Sequence, residues 1–258
     1  MHVPTQKPAP VSRRQFGVFA GGAVVSLAFG GCQDVESQEA LAGRMSVRLR
    51  SGSATTARGS RPLRLDVERD AFLAMPAKVP EGAMPLLVLL HGAGGSSAGI
   101  LRRLGNVAAD AGVAVLAPDS RNGTWDAIRG GFGPDVRFLT RALERVSESV
   151  ALDTSRMSIG GFSDGATYAL SLGIINGDLF RRIVAFSPGF IIRGPLQGEP
   201  RIFVSHGIGD RILPINRCSR VLVPALQKRG YDVTYREFDG GHEVPAAIAA
   251  EGMSFVAR

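Results

Sequence analysis

Short apolar runs alternate along the chain with longer segments in which apolar residues recur at helical spacing. The runs at 85–92 (PLLVLLHG) and 112–119 (GVAVLAPD) are almost continuously apolar, which is typical of strands buried on both faces of a sheet. Residues 135–150 instead place Val136, Leu139 and the apolar residues after them on one face of a helix. Repeated alternation of this kind predicts an α/β fold, with a mostly parallel central sheet and helices on both of its faces.

The same patterns predict the remaining strands and helices. Strands are predicted at 45–50, within 63–76, and at 156–162, 181–189, 201–207 and 232–240, and helices at 98–111, 166–175, 214–229 and 244–256. The first two strands alternate apolar and polar residues, as edge strands do. Few residues separate the strands that end near 187 and begin near 201, which leaves no room there for a large cap domain. In such sheets, sites form at the carboxyl ends of the strands.

The first 32 residues resemble an export signal. Arg13 and Arg14 lie in an S-R-R-x-F pattern typical of twin-arginine signals, and an uncharged stretch with small residues leads to Cys32. The glycines before Cys32 resemble a lipobox, although Phe29 replaces the usual smaller aliphatic residue. We expect an exported protein, periplasmic or lipid-anchored to the cell envelope through Cys32. An uncleaved anchor and an incidental cysteine are the alternatives.

The composition indicates how the chain divides into a tether and a domain, and it argues against one class of partner. Residues 33–60 are polar and read as an irregular tether, whereas residues 61–258 have the length and apolar content of one globular domain. The formal charge of +7 includes Lys7, Arg13 and Arg14. Without these three, 27 basic residues face 23 acidic ones, an excess too small and too scattered to indicate nucleic-acid binding.

Ser163 lies in a G-x-S-x-G pattern, between Gly161 and Gly165, after a predicted strand and before a predicted helix. This strand–turn–helix context is typical of a nucleophile elbow, in which a sharp bend exposes the serine hydroxyl. The two glycines are needed where strand and helix come too close for side chains. A serine hydroxyl also needs a base to take its proton and a carboxylate to orient that base.

We expect the base and the carboxylate to lie on connections that follow strands of the sheet. His242, in a glycine-rich turn after the last strand, is the preferred base, with a helix-capping turn residue as the alternative; His91 and His206 each end a strand. Asp210 follows the strand at 201–207 and is the preferred acid, with a role in a helix cap or a salt bridge as the alternative. Asp239 is the competing acid.

The glycine-rich loop at 91–97 (HGAGGSS) follows a strand and opens a helix. Such a loop can direct backbone N–H groups at the oxyanion of a tetrahedral intermediate. The N–H of Ala93 is the first choice and that of Gly94 the second, each acting with the N–H of Asp164. The loop lacks the Lys–Ser/Thr of a P-loop and is not a G-x-G-x-x-G, so a nucleotide site is disfavoured.

The sequence is less specific about two further residues of the domain, Trp125 and Cys218. Trp125 lies in the long irregular loop 119–134, where it forms part of a substrate pocket or packs against a neighbouring helix. Cys218 is expected to be a half-buried helix residue without a partner. Together with Cys32 it does not make a disulfide framework.

The segments LLHGAGG, GGFSDGA, AFSPGF, VSHGIGDRILP and GGHEVP together resemble the α/β-hydrolase superfamily, within it the bacterial phospholipase/carboxylesterase group of predicted esterases. They extend from about residue 85 to the end. Ser163, Asp210 and His242 follow the chain order of that superfamily. The resemblance implies a carboxylic ester hydrolase that forms an acyl-enzyme, acts on a small-molecule ester and uses no metal or organic cofactor.

The resemblance leaves several alternatives open. Related carboxylesterases often have Gln after the nucleophile, where this chain has Asp164; its charge either disfavours anionic substrates or caps the helix. The bond cleaved could also be a thioester, a polyhydroxyalkanoate or feruloyl ester, or a peptide. A lipoprotein that keeps the fold and only binds ligands is the alternative from a different class. The sequence does not specify the oligomeric state.

Overall fold

The computed structural model describes residues 37–53, 55, 57–79 and 81–258. The predicted export signal at 1–32, with Arg13, Arg14 and Cys32, lies outside the described residues and stays a prediction. Within the described ranges, no helix has the length and apolar character needed to cross a membrane.

The described chain forms one sheet of eight strands with helices around it. The strands are β1 (Gly59–Pro62), β2 (Ala71–Met75), β3 (Met84–Leu90), β4 (Ala114–Pro118), β5 (Leu152–Phe162), β6 (Arg182–Phe186), β7 (Arg201–Gly207) and β8 (Val233–Phe238). The helices are α1 (Ser97–Ile100), α2 (Asn106–Asp110), α3 (Asp126–Arg129), α4 (Pro134–Ser149), α5 (Asp164–Ile175), α6 (Ser219–Lys228) and α7 (Ala246–Ala257). A π-helical turn, Leu101–Gly105, joins α1 to α2, and a 3-10 turn, Ile215–Arg217, precedes α6.

The strand order across the sheet is β1-β2-β4-β3-β5-β6-β7-β8. β2 runs antiparallel to both of its neighbours, whereas all other neighbouring strands are parallel. The prediction of a mostly parallel sheet with antiparallel strands at one edge is therefore confirmed. The parallel strands all end at the same edge, so the connections that leave β3, β5, β7 and β8 come together there.

The core consists of two apolar layers, one on each face of the sheet. β3 shows why: every residue in it is buried, and its side chains alternate between the faces. Leu86, Val88 and Leu90 belong to the layer under α4 and α5, whereas Leu87 and Leu89 belong to the layer under α2 and α7. The prediction of helices on both faces is confirmed.

The predicted first strand at 45–50 is wrong. Its apolar residues do point inward, as the alternation predicted, but its backbone pairs with helix side chains rather than with a strand. The N–H groups of Met45, Arg48 and Arg50 donate to the side chains of Asn176, Glu144 and Ser147. The first strand of the sheet is β1.

The prediction of a tether over 33–60 is also wrong for residues 37–49. A helical turn at 37–41 and the extended segment after it pack against α4 and α5, and Ala40 and Met45 are part of the core. Arg44 fixes the segment further, with two hydrogen bonds of 2.9 and 3.0 Å to the carboxylate of Asp178. The folded domain therefore begins well before residue 61.

Met45→Ala tests this boundary. The Met45 side chain is buried, and truncating a buried methionine costs about 2–5 kcal/mol of unfolding free energy. Leu41→Ala is the matched control, because Leu41 is 61% exposed and its loss should cost no more than about 0.5 kcal/mol. Urea unfolding of the two variants measures the difference. Equal stabilities would mean that the segment does not belong to the domain.

Candidate active site

Ser163 sits at the sharp bend between β5 and α5, with a strained backbone. Its φ of 59° lies in the left-handed region, which costs a non-glycine residue about 1–3 kcal/mol. Its N–H is held by the carbonyl of Phe186 at 3.0 Å, at the end of the neighbouring strand. The residue is 8% exposed, so the hydroxyl lies just at the surface of the cleft.

The two glycines of the motif are required by close backbone contact, as predicted. A Cβ on Gly161 would lie 2.5 Å from the carbonyl carbon of Gly165 and 2.7 Å from the carbonyl oxygen of Leu90. A Cβ on Gly165 would lie 2.5 Å from the carbonyl oxygen of His91. Real Cβ atoms essentially never come this close to other atoms, so only glycine fits at these two positions.

The structure brings the three predicted residues into one hydrogen-bonded chain. Nε2 of His242 lies 2.8 Å from Oγ of Ser163, and Nδ1 of His242 lies 2.6 Å from Oδ2 of Asp210. Because a carboxylate can only accept, Nδ1 carries the imidazole proton. Nε2 is then left with a lone pair directed at the Ser163 hydroxyl. The competing acid Asp239 is exposed and, among the described residues, forms no hydrogen bond or ion pair with His242.

Asp210 is held in place by its own turn. Its other oxygen, Oδ1, accepts hydrogen bonds from the N–H groups of Ile212 at 2.9 Å and Leu213 at 2.8 Å. Burial raises the pKa of Asp210, but the hydrogen bonds from His242 and from these N–H groups outweigh it, so the pKa is lower than usual. Asp210 is therefore ionised and keeps the His242 ring in one orientation.

His206 is a second histidine beside Asp210, in a place that the sequence patterns do not predict. It is fully buried, with Nε2 at 2.7 Å from the Leu213 carbonyl and 3.3 Å from Oδ2 of Asp210. Since a carbonyl can only accept, Nε2 carries the proton, and Nδ1 accepts from the Ser219 hydroxyl at 2.7 Å. Burial lowers the pKa of His206, which keeps the ring neutral.

His91 fixes the shape of the glycine-rich loop. Its Nδ1 lies 2.8 Å from the carbonyl of Gly92, and its Nε2 accepts from the N–H of Ser120 at 3.0 Å, so both ring nitrogens are occupied. The N–H of Gly94 donates to the carbonyl of Gly123 at 2.7 Å and is occupied too. In the described part of the chain, the N–H groups of Ala93 and Asp164 donate to no other group.

Trp125 does not line a substrate pocket, because it is fully buried. Its indole N–H donates to the carbonyl of His91 at 2.9 Å, and its ring stacks on Tyr168 with centroids 5.2 Å apart. The packing alternative thus describes Trp125. Cys218 is more buried than predicted and lies just before α6, as a free thiol whose pKa is raised by burial.

Asp164 lies in the first turn of α5, where a negative charge is favourable. Its Oδ2 accepts a hydrogen bond of 2.6 Å from the Thr124 hydroxyl, which ties the long loop 119–134 to the elbow. The sequence could not reveal this contact, or the approach of His206 to Asp210. Both depend on how connections from different strands meet at the sheet edge.

The strand order, the sharp bend at Ser163 and the connections that follow the strands define the class of protein. The chain has the α/β-hydrolase fold. Three solved structures share it. Esterase PE8 matches with a TM-score of 0.60 at 21% identity, over 74% of this chain and 98% of its own. The Bacillus cereus carboxylesterase has a TM-score of 0.57 at 21% identity, over 74% and 94%. A truncated carbohydrate esterase from gut microbiota has a TM-score of 0.64 at 15% identity, over 80% and 98%.

Comparison at the level of sequence finds similarity to esterases. The model of the family described as Phospholipase/Carboxylesterase matches residues 140–257. The esterase candidate NocK of Nocardia uniformis subsp. tsuyamanensis is 30% identical over 182 residues, which are 67% of this chain and 47% of NocK. The chain thus spans about half the length of this curated relative. The chain is thus similar in sequence to esterases that share this fold.

Gly165→Ala tests the close contact at the elbow. The added Cβ would meet backbone carbonyls that cannot move aside, so we expect a loss of at least about 1–3 kcal/mol of unfolding free energy. Gly131→Ala is the control, because a Cβ there meets nothing within 4 Å. Urea unfolding compares the two variants. If Gly165→Ala is as stable as Gly131→Ala, the elbow is not tightly packed.

His206→Gln tests the buried, neutral histidine. A Gln can still donate to the Leu213 carbonyl, whereas His206→Ala leaves buried polar groups unpaired at a cost of about 1–3 kcal/mol. The unfolded chain protonates His206 near pH 6.5, above the lowered pKa of the folded state. Its contribution to stability is therefore complete above pH 6.5 and is lost as the pH falls.

The expected result is a stability difference between the native protein and His206→Gln that is largest at pH 8 and shrinks below about pH 6.5. Urea unfolding at pH 8, 7, 6 and 5 measures it, with His206→Ala as the reference for full loss of the ring. A difference that does not change over this range would contradict a neutral His206.

Proposed function

We propose that this protein hydrolyses carboxylic esters through an acyl-enzyme intermediate. Ser163 is the nucleophile, His242 the general base and Asp210 the acid that orients it. The observation that carries the proposal is the continuous chain of hydrogen bonds, 2.8 Å from Ser163 to His242 and 2.6 Å from His242 to Asp210. Similarity to the Phospholipase/Carboxylesterase family model and to NocK supports the same reaction class.

In the first half of the reaction, Nε2 of His242 takes the proton of the Ser163 hydroxyl as its oxygen attacks the ester carbonyl. The ionised Asp210 stabilises the imidazolium that forms. His242 then returns the proton to the departing alcohol, which leaves the acyl group on Ser163. In the second half, water is deprotonated by His242, attacks the acyl-enzyme and releases the acid.

The negative charge on the tetrahedral intermediate requires hydrogen-bond donors. The N–H groups of Ala93 and Asp164 are the proposed pair, since both lie beside the nucleophile in the chain or the fold and both lack another acceptor among the described residues. Gly94, the second choice from the sequence, is less suited because its N–H is engaged by Gly123. The N-terminus of α5 adds the favourable end of its dipole.

Apolar side chains near Asp210 suit an ester with a hydrocarbon part. Phe190, Ile208 and Ile212 are 45%, 51% and 70% exposed, on the connections that leave β6 and β7 at the edge of the site. Exposed apolar residues grouped at a cleft often bind ligands. We propose that they contact the apolar part of the ester, in a cleft over which the described residues form no large cap.

The proposal also includes the destination of the protein. The Arg13–Arg14 pair and the residues before Cys32 support export by a twin-arginine route, with lipid attachment at Cys32. Ester cleavage would then take place in the periplasm or at the cell envelope.

Ser163→Ala should abolish turnover of 4-nitrophenyl esters, because the variant lacks the hydroxyl oxygen to which the acyl group is transferred. Removing a triad member of a serine hydrolase typically costs about 10⁴–10⁶ in kcat. Asp239→Asn is the control, since Asp239 is the acid that the proposal leaves without a role. Rates with thioester analogues of the same acyl groups tell ester from thioester preference.

The control should turn over the esters as the native protein does. Undiminished turnover by Ser163→Ala would contradict the proposal. A folded native protein without activity on any of these esters would favour the binding lipoprotein instead.

A further inference from the structure

A cavity of about 250 Å³ opens beside Phe162, the residue that precedes Ser163, on the side of the glycine-rich loop. It lies between that loop, the helical segment formed by α1 and the π-helical turn, and the side chain of Phe162. Gly92 is part of its wall, and a Cβ on Gly92 would lie only 3.3 Å from the Cβ of Ser163. A group bound in this cavity would therefore adjoin an ester held at Ser163.

Arg103 supplies the only charged wall of this cavity among the described residues. Its guanidinium carbon lies 4.8 Å from the centre of the Phe162 ring, and that ring lies 4.7 Å from the ring of His242. Stacking on an aromatic ring orders the guanidinium and leaves the N–H groups at its edge available. The described part of the chain provides no carboxylate partner for them.

Several other arginines of the protein are paired with carboxylates. Arg44, Arg201 and Arg220 each form an ion pair with a carboxylate at 2.6–2.9 Å. Asp164, which is the acid next to the nucleophile, accepts its hydrogen bond from Thr124 and is not paired with Arg103. Arg103 thus brings to this cavity a guanidinium that no carboxylate of the described residues pairs with.

The π-helical turn that carries Arg103 also carries its neighbour Arg102, but the two side chains lie at different places. Arg102 lines a separate groove beside β2, together with Phe72 and Ala74. π-Helical turns occur often at functional sites. The guanidinium at the cavity balances one negative charge. Its planar N–H groups can donate two parallel hydrogen bonds to one carboxylate.

We propose that the cavity is a subsite for a carboxylate carried by the substrate, with Arg103 as the residue that binds it. The preferred substrates are then esters with a free carboxylate a few bonds from the scissile carbonyl, such as half-esters of dicarboxylic acids. A cavity of about 250 Å³ has room for a short chain that ends in a carboxylate. The proposal rests on ester hydrolysis at Ser163 and names its substrate class.

A matched pair of esters tests the subsite. One is the 4-nitrophenyl half-ester of adipic acid, which has a free carboxylate, and the other is the same compound with that carboxylate capped as a methyl ester. The readout is the ratio of kcat/KM for the anionic ester to kcat/KM for the neutral one, with Ser163→Ala as the blank. We expect a ratio above one for the native protein, which falls as salt is added.

Arg103→Gln should lower this ratio about tenfold, mainly through KM of the anionic ester, since it removes a charge-assisted hydrogen bond. Arg103→Lys should keep part of the preference, and Arg103→Glu should reverse it. Arg102→Gln is the matched control: it removes an equal charge one residue away and should leave the ratio unchanged.

A native ratio of one or less, or equal losses from Arg103→Gln and Arg102→Gln, would overturn the subsite while ester hydrolysis stands. If neither ester is cleaved, ester hydrolysis itself fails, and calorimetric binding of glutarate then decides on the subsite. In that case, glutarate binding is compared between Ser163→Ala and the double variant Ser163→Ala/Arg103→Gln. Binding about tenfold weaker in the double variant supports the carboxylate subsite, and equal binding overturns it.

Discussion

Backbone contact between the end of β3, the end of β5 and the first turn of α5 is the constraint on which the site depends. Gly161 and Gly165 allow α5 to start directly against the carbonyls of Leu90 and His91. The chain must turn within one residue there, and Ser163 takes the positive φ that this turn demands. The same contact places Ser163 beside the glycine-rich loop, so it positions the Ser163 hydroxyl relative to the N–H groups of Ala93 and Asp164.

A second close approach sets the distance between Asp210 and His242. Beyond the ends of β7 and β8 the backbones stay paired, with the N–H groups of Ile208 and Gly209 donating to the carbonyls of Phe238 and Gly240 at 2.9 Å. This pairing holds the turn that contains Asp210 against the turn that contains His242. His206 and the N–H groups of the Asp210 turn then fix the carboxylate from behind. Each member of the hydrogen-bonded chain therefore lies on a short connection that a buried strand anchors.

Much of this arrangement could be predicted from the sequence, because its causes are local. Continuous apolar runs specify strands such as β3, and the G-x-S-x-G spacing specifies the bend at Ser163 in any sheet of this kind. Where the cause lies in tertiary contacts, the prediction failed. The segment 45–50 has the alternation of a strand, yet its backbone hydrogen bonds go to Asn176, Glu144 and Ser147. The sequence pattern around Trp125 fits both a pocket and the core. Only the tertiary contact with the carbonyl of His91 decides between them. The roles of His206 and Arg103 depend on which connections meet at the sheet edge.

The central claim is that Ser163 is a nucleophile activated by His242 and Asp210. Its most direct test is treatment of the folded protein with a fluorophosphonate, followed by mass analysis of the peptides. The expected result is a single phosphonate adduct on Ser163, formed by the native protein and strongly reduced in the His242→Ala variant. A folded native protein that forms no adduct, or that forms it on another residue, would contradict the claim.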